Sequence, residues 1–204
     1  MSLQSELAFA HNERIISIGS LLARRGVRLW RSQMSLANLD ASWNVVAPQM
    51  VAQVTAAQLA AAKLATPYTN ALDRANGYKP EPAALVPEAF AGVMGDGREV
   101  APALFGAVTN TKTAIGRGVA ASTAFEAGAN FIAAVMSAAL HDMSRNADRV
   151  IASGKGYTRY VRVVNGSACS RCAILAGIYS AEEAFLRHVS CQCGTAAIQE
   201  GQKA

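Results

Sequence analysis

Four cysteines and a histidine fall close together in the last third of the chain, as Cys169-Ser170-Arg171-Cys172 and then His188-Val189-Ser190-Cys191-Gln192-Cys193. A Cys-x-x-Cys on a turn lets two thiolates meet one metal ion, and the backbone amides of such a knuckle offset thiolate charge. The second half adds three soft or borderline donors within a few residues. Tetrahedral zinc takes four ligands, so Cys169, Cys172, His188, Cys191 and Cys193 leave one to spare, as an outer hydrogen-bonding group or an exposed thiol. The expected content is one zinc per chain.

Other chemistries of the same residues fit the pattern less well. Two disulfides suit an oxidising compartment, but Met1 to Glu6 has neither the basic nor the apolar stretch of a signal peptide. The expectation is a chain made in a cytoplasm, where clustered cysteines point to metal. A thioredoxin-type site needs a βαβ setting that the pattern lacks, and a Cys–His188 nucleophile is the remaining alternative. A structural zinc fits best, because a segment of roughly 45 residues buries too little surface to fold unaided. Glu182 and Glu183 are the only carboxylates between the two halves. They follow Ser180 as the opening of a helix would, a capping role rather than that of a general base. No Gly-rich phosphate loop, Ser-His-Asp set or carboxylate pair is visible. His11 and His141 read as surface or boundary residues.

The elements that must position these ligands are mostly helical. Of 204 residues, 51% are apolar and 16% charged, with alanine concentrated at 41–65 and 119–139. Helices of this kind depend on close packing for stability. Leu7, Ile15, Ile18, Leu22 and Leu29 mark a first helix over 4–32. Asp40 should cap a second helix running to about Ala65, with Pro48 near its start or kinking it, and Thr66-Pro67 a short third one ending at Asn76-Gly77. Tyr78 to Pro87 reads as an extended connector and Gly95-Asp96-Gly97 as a tight turn. A helix is expected from Arg98 to about Gly116, and the longest from Val119 to Ser153. The latter carries an apolar stripe from Phe131 to Met143 and a charged flank of Asp142, Arg145, Asp148 and Arg149. After Gly154-Lys155-Gly156 the period changes to two, with Tyr157, Arg159, Val161 and Val163 on one face and Thr158, Tyr160, Arg162 and Val164 on the other. Asn165-Gly166 supplies a turn, and Ala173 to Arg187 has room for a small hairpin or one short helix. The fold class is therefore mainly α: an Ala-rich helical body at 1–153, then a small α+β zinc-binding module at 157–204. No uninterrupted apolar stretch reaches the ~18 residues of a membrane span.

Tyr160-Val161-Arg162, Cys169-Ser170-Arg171-Cys172-Ala173-Ile174-Leu175-Ala176-Gly177, Phe185-Leu186-Arg187-His188 and Cys191-Gln192-Cys193 together resemble the C-terminal part of the phage Mu protein F-like (MuF-like) minor head proteins of tailed phages, in particular those of actinobacterial phages. Asp96-Gly97-Arg98 and the pair Asp142 and Arg145 fit the same group, so the resemblance spans most of the chain. Val189 stands where the group has proline. The resemblance implies a virion protein of few copies, made in the host cytoplasm and placed inside the head near the portal. It would act in head assembly or genome delivery, with the portal and major capsid proteins as partners and packaged DNA as a further contact.

The resulting expectation is a non-enzymatic structural protein with no catalytic residue, no small-molecule substrate and no membrane contact. A second reading is a nucleic-acid-binding zinc module. The net charge is +5, and Arg14, Arg24, Arg25, Arg28 and Arg31 of the first helix, with Arg159, Arg162, Arg171 and Arg187, would meet phosphates. A zinc-dependent hydrolase is the third reading, and no base is placed for it.

Overall fold

The computed structural model describes residues 2–164, 170–188 and 191–198. Four long helices, α1 (Leu3–Gln33), α2 (Leu39–Ala75), α3 (Val100–Gly116) and α4 (Ala121–Gly154), form the body. They are followed by β1 (Arg159–Val163), the short α5 (Ser170–Ile174), β2 (Ile178–Ser180) and β3 (Gly194–Ile198). The mainly helical class with a small C-terminal sheet is thus what the chain adopts.

The apolar periodicity explains the packing. Helix α4 lies against α1, α2 and α3, and its Ile132, Met136 and Leu140 meet Trp30, Val46, Met50, Val54 and Leu104 in one buried core. Indole Nε1 of Trp30 donates to the Phe125 carbonyl at 3.0 Å. Close approach is allowed by Gly26, where a Cβ would stand 2.9 Å from Ile132 Cγ2, and by Gly128, where one would stand 2.5 Å from the Trp30 ring. These glycines lower helix propensity but let the backbones meet. By length and composition α2 and α4 each hold a window apolar enough for a membrane span, and in the fold their apolar faces meet in this core.

Several boundaries differ from expectation. Helix α2 does not stop at Thr66-Pro67; it runs through both Pro48 and Pro67 and, at 37 residues against 34 for α4, is the longest helix. Pro67 removes one amide donor, but Ala65, Tyr68, Thr69, Leu72 and Asp73 are buried around it, and packing overrides the local cost. The N-cap is Asn38, whose Oδ1 accepts from the Ala41 amide at 3.2 Å. Asp40 sits in the first turn and pairs with Lys112 at 2.8 Å.

The 92–98 segment folds onto the body through buried Gln58, which donates to the Val93 carbonyl at 2.6 Å and accepts from the Gly92 amide at 2.8 Å. Its Gly95-Asp96-Gly97 turn closes with the Gly97 amide on the Met94 carbonyl at 2.9 Å.

The sheet has order β2-β1-β3 and is antiparallel throughout, pairing Tyr160 with Tyr179 on one side and with Ala197 on the other. Gly156, at φ 81°, ends α4, and no long linker follows. Tyr157 is buried and donates to Asp73 Oδ1 at 2.5 Å, and Tyr68 donates to the Thr195 carbonyl at 3.0 Å. The strands are therefore pinned to α2 from both ends of the sheet's sequence. Val163 and Ala196 pack on Ala8 and Phe9 of α1.

Candidate metal centre

Cys172 lies on α5, His188 at the end of the extended run after β2, and Cys191 just ahead of β3. The Cys191 amide donates to the His188 carbonyl at 3.1 Å. Cys172 Sγ stands 3.0 Å from His188 Nε2, and the three donor atoms lie within 4.8 Å of one another. Donors bound to one tetrahedral zinc stand roughly 3.5–3.8 Å apart, so small side-chain adjustments seat an ion here. The donor set of two thiolates and an imidazole is the right chemistry for it. The thiols are enclosed, with Cys172, Cys191 and Cys193 each at most 4% exposed, while His188 is partly exposed.

Of the five expected ligands, the fold thus brings three together. Cys193 is packed against Cys172 and Cys191 without entering the three-donor group. Cys169 and the Asn165-Gly166 turn lie outside the described residues. No disulfide joins Cys172, Cys191 and Cys193. Cys191 and Cys193 share a hydrogen bond that splits their acidities. The bond from Cys193, its backbone amide and the charges of Arg145 and Arg162 hold the Cys191 thiol well below its ordinary value against the effect of burial; the same bond and burial push Cys193 well above it.

The surroundings of the cluster are more basic than its sequence neighbours suggest. Arg162 of β1, 4% exposed, brings Nη2 to 3.3 Å from Cys191 Sγ and 3.9 Å from Cys172 Sγ. Its other terminal nitrogen donates to the Leu186 carbonyl at 2.6 Å. Burial opposes its charge, but contact with Cys193 and Cys191 outweighs that and raises its pKa. The ring of Phe185 is sandwiched between Arg162 and Arg145, whose guanidinium carbons stand 4.3 and 4.7 Å from its centroid.

Helix α4 supplies the platform. Asp142, Arg145 and Asp148 are not a solvated flank; all three are buried. Arg145 bonds Asp142 and donates to the Cys193 carbonyl at 2.8 Å. The second carboxylate oxygen of Asp142 pairs with Arg187, next to His188, at 2.9 Å. Gly95 abuts Asp142 so closely that a Cβ there would stand 2.7 Å from the carboxylate. Arg149 donates to the Ala181 and Glu183 carbonyls at 2.5 and 2.8 Å. The sequence signal for this platform was present, as charges three and four residues apart interrupting an alanine-rich helix, but their burial could not be read from spacing.

The remaining candidates also change character. Arg162 is enclosed against sulfur and has no free face for phosphate. After Ser180 a turn, not a helix, forms: its amide donates to Glu183 Oε1 at 3.1 Å and its hydroxyl accepts from the Glu182 amide at 3.3 Å. One bond of a capping box, from the Ser180 amide to the Glu183 carboxylate, is made without the helix. His141 is not a surface residue; it is 1% exposed, with Nδ1 on the Ser137 carbonyl at 2.9 Å. His11 stacks on Tyr68 at 3.8 Å and bonds Asp148 Oδ2 at 3.0 Å.

Fold and site together define a helical protein with a small C-terminal sheet and a largely buried Cys/His cluster that could hold a metal ion. Set against protein-family models, curated proteins and solved structures, the chain matches none.

Proposed function

We propose that the chain is a non-enzymatic structural protein, a minor head protein of a tailed phage of the MuF-like type, whose C-terminal fold is closed by one structural zinc ion. Cys172, His188 and Cys191 hold the ion, and Cys169, three residues before Cys172, is the fourth ligand; Cys193 is the spare. The observation that carries this reading is the convergence of three donors, with Cys172 and Cys191 buried and His188 partly so. A catalytic zinc keeps a position open to substrate, whereas a closed donor set fastens chain segments together.

The phage assignment rests on the motif resemblance, and the fold adds one support. Positions that carry the resemblance but lie far apart in sequence meet around the cluster: Arg145 on the Cys193 carbonyl, Asp142 on Arg187, Arg162 on Cys191. In this reading the protein sits inside the head near the portal, touching portal or major capsid protein. Electron microscopy of intact particles tests it. Density for the chain inside the head at the portal vertex is expected, and particles that lack the protein would contradict the assignment.

A second reading, contact with packaged DNA, is favoured by one feature. Arg24, Arg28 and Arg31 line a groove whose other walls include Val27 of α1 and Ala133 of α4. Binding of duplex DNA that weakens steeply with salt, and is lost when these arginines are replaced, supports it.

A further inference from the structure

We propose that Arg162 is the counter-charge of the metal centre, a positioning residue that acts through the thiolates of Cys172 and Cys191. The inference rests on the zinc reading above and goes beyond it. A zinc site of Cys172, His188, Cys191 and one further thiolate of the cysteine cluster carries a net negative charge, and burying that charge without compensation is costly. The fold places one cation directly on the sulfurs. Arg162 is buried at 4% exposed, with Nη2 3.3 Å from Cys191 Sγ and 3.9 Å from Cys172 Sγ.

The arginine is also held in place independently of the sulfurs. Nη1 is anchored on the Leu186 carbonyl at 2.6 Å, and its guanidinium carbon lies 4.3 Å from the Phe185 ring centroid. Its strand position is fixed by pairing with Thr195 of β3. The side chain is therefore presented to the cluster ready-made, as outer groups that tune metal ligands are. The neighbouring cation Arg145 adds its charge from further off, because its guanidinium bonds Asp142 and the Cys193 carbonyl and no sulfur.

The test compares the full-length wild type with Arg162→Met, which keeps the apolar stem and removes the charge, and with Arg162→Lys, which keeps the charge. Zinc affinity is read by competition with a chromophoric chelator, and helicity and melting temperature at saturating zinc report folding. Arg162→Met should bind zinc roughly ten- to a hundred-fold more weakly, with Arg162→Lys recovering most of the loss. Equal affinity of Arg162→Met and wild type overturns the proposal, as does an equal loss in both variants, which would point to the Leu186 anchor instead. Should Arg162→Met fail to fold, Arg162→Gln, which keeps a donor for Leu186, carries the same comparison. A wild-type chain that takes up no zinc sinks the metal reading and this inference together. One that binds zinc regardless of residue 162 sinks the inference alone.

Discussion

Arg145 on α4 reaches across to the backbone carbonyl of Cys193 at 2.8 Å, tying the charged stretch of α4 to the segment that leads from the Cys/His cluster into β3. The same guanidinium bonds Asp142, which in turn holds Arg187 beside His188. One buried pair thus steadies both segments of the second ligand half. Burial lowers the Arg145 pKa, and Asp142 beside it offsets only part of that fall.

Removing that arginine should therefore be expensive. Arg145→Leu leaves Asp142 buried with only the half-exposed Arg187 as partner, and the Cys193 carbonyl without its donor. Losing one member of a buried ion pair costs about 3–5 kcal/mol, so urea unfolding at saturating zinc should show a loss of about 3 kcal/mol. A loss under about 1 kcal/mol, the size of an exposed pair, would mean the contact contributes little.

A second outcome concerns pH. Burial holds the imidazole of His141 below its ordinary value of 6.5, outweighing its bond to the Ser137 carbonyl. Between the folded and unfolded pKa values the unfolded chain binds a proton that the folded chain does not, so stability rises with pH across that window. The contribution is complete above pH 6.5 and is lost as pH falls toward the folded value. The melting temperature should drop from about pH 7.5 to about pH 5.5 more steeply in wild type than in His141→Leu. Every other titratable group is common to the two proteins, so the difference isolates His141. Parallel curves would exclude it as a source of acid sensitivity.

Limited proteolysis should map what the metal organises. With Tyr157 on Asp73 and Tyr68 on Thr195, β1 and β3 have ties to the helices that do not pass through the cluster. In Cys172→Ser, cuts are expected between residues 164 and 190 while the Gly154-Lys155-Gly156 corner stays protected. Cleavage first at that corner would show that the whole segment after α4 detaches as a unit.

Much of this arrangement was legible in the residues. The period of the apolar positions gave α1, α3 and α4 to within a few residues, because their buried faces are continuous and their ends carry glycine or a polar cap. The cysteine spacing pointed to the cluster because metal chemistry constrains ligand types and numbers more tightly than packing constrains a helix. Pro67 misled because its cost is local while the packing of Tyr68, Leu72 and Asp73 is tertiary. Arg162 and the α4 charges misled for the opposite reason. Charged residues at helical or strand spacing normally face water, and only the partners they meet in the fold, sulfur for Arg162 and Asp142 for Arg145, make their burial affordable.

If, as proposed, Cys172, His188 and Cys191 hold a zinc ion that closes the C-terminal fold, metal analysis of protein purified under reducing conditions will find it. A structural site of this kind couples metal binding to folding, with apparent affinities worth about 10 kcal/mol or more. The account predicts one zinc per chain in the wild type and in Cys193→Ser, and its loss in Cys172→Ser and Cys169→Ser. Wild-type protein that is folded and free of zinc, or Cys172→Ser that retains zinc at the wild-type level, would contradict it.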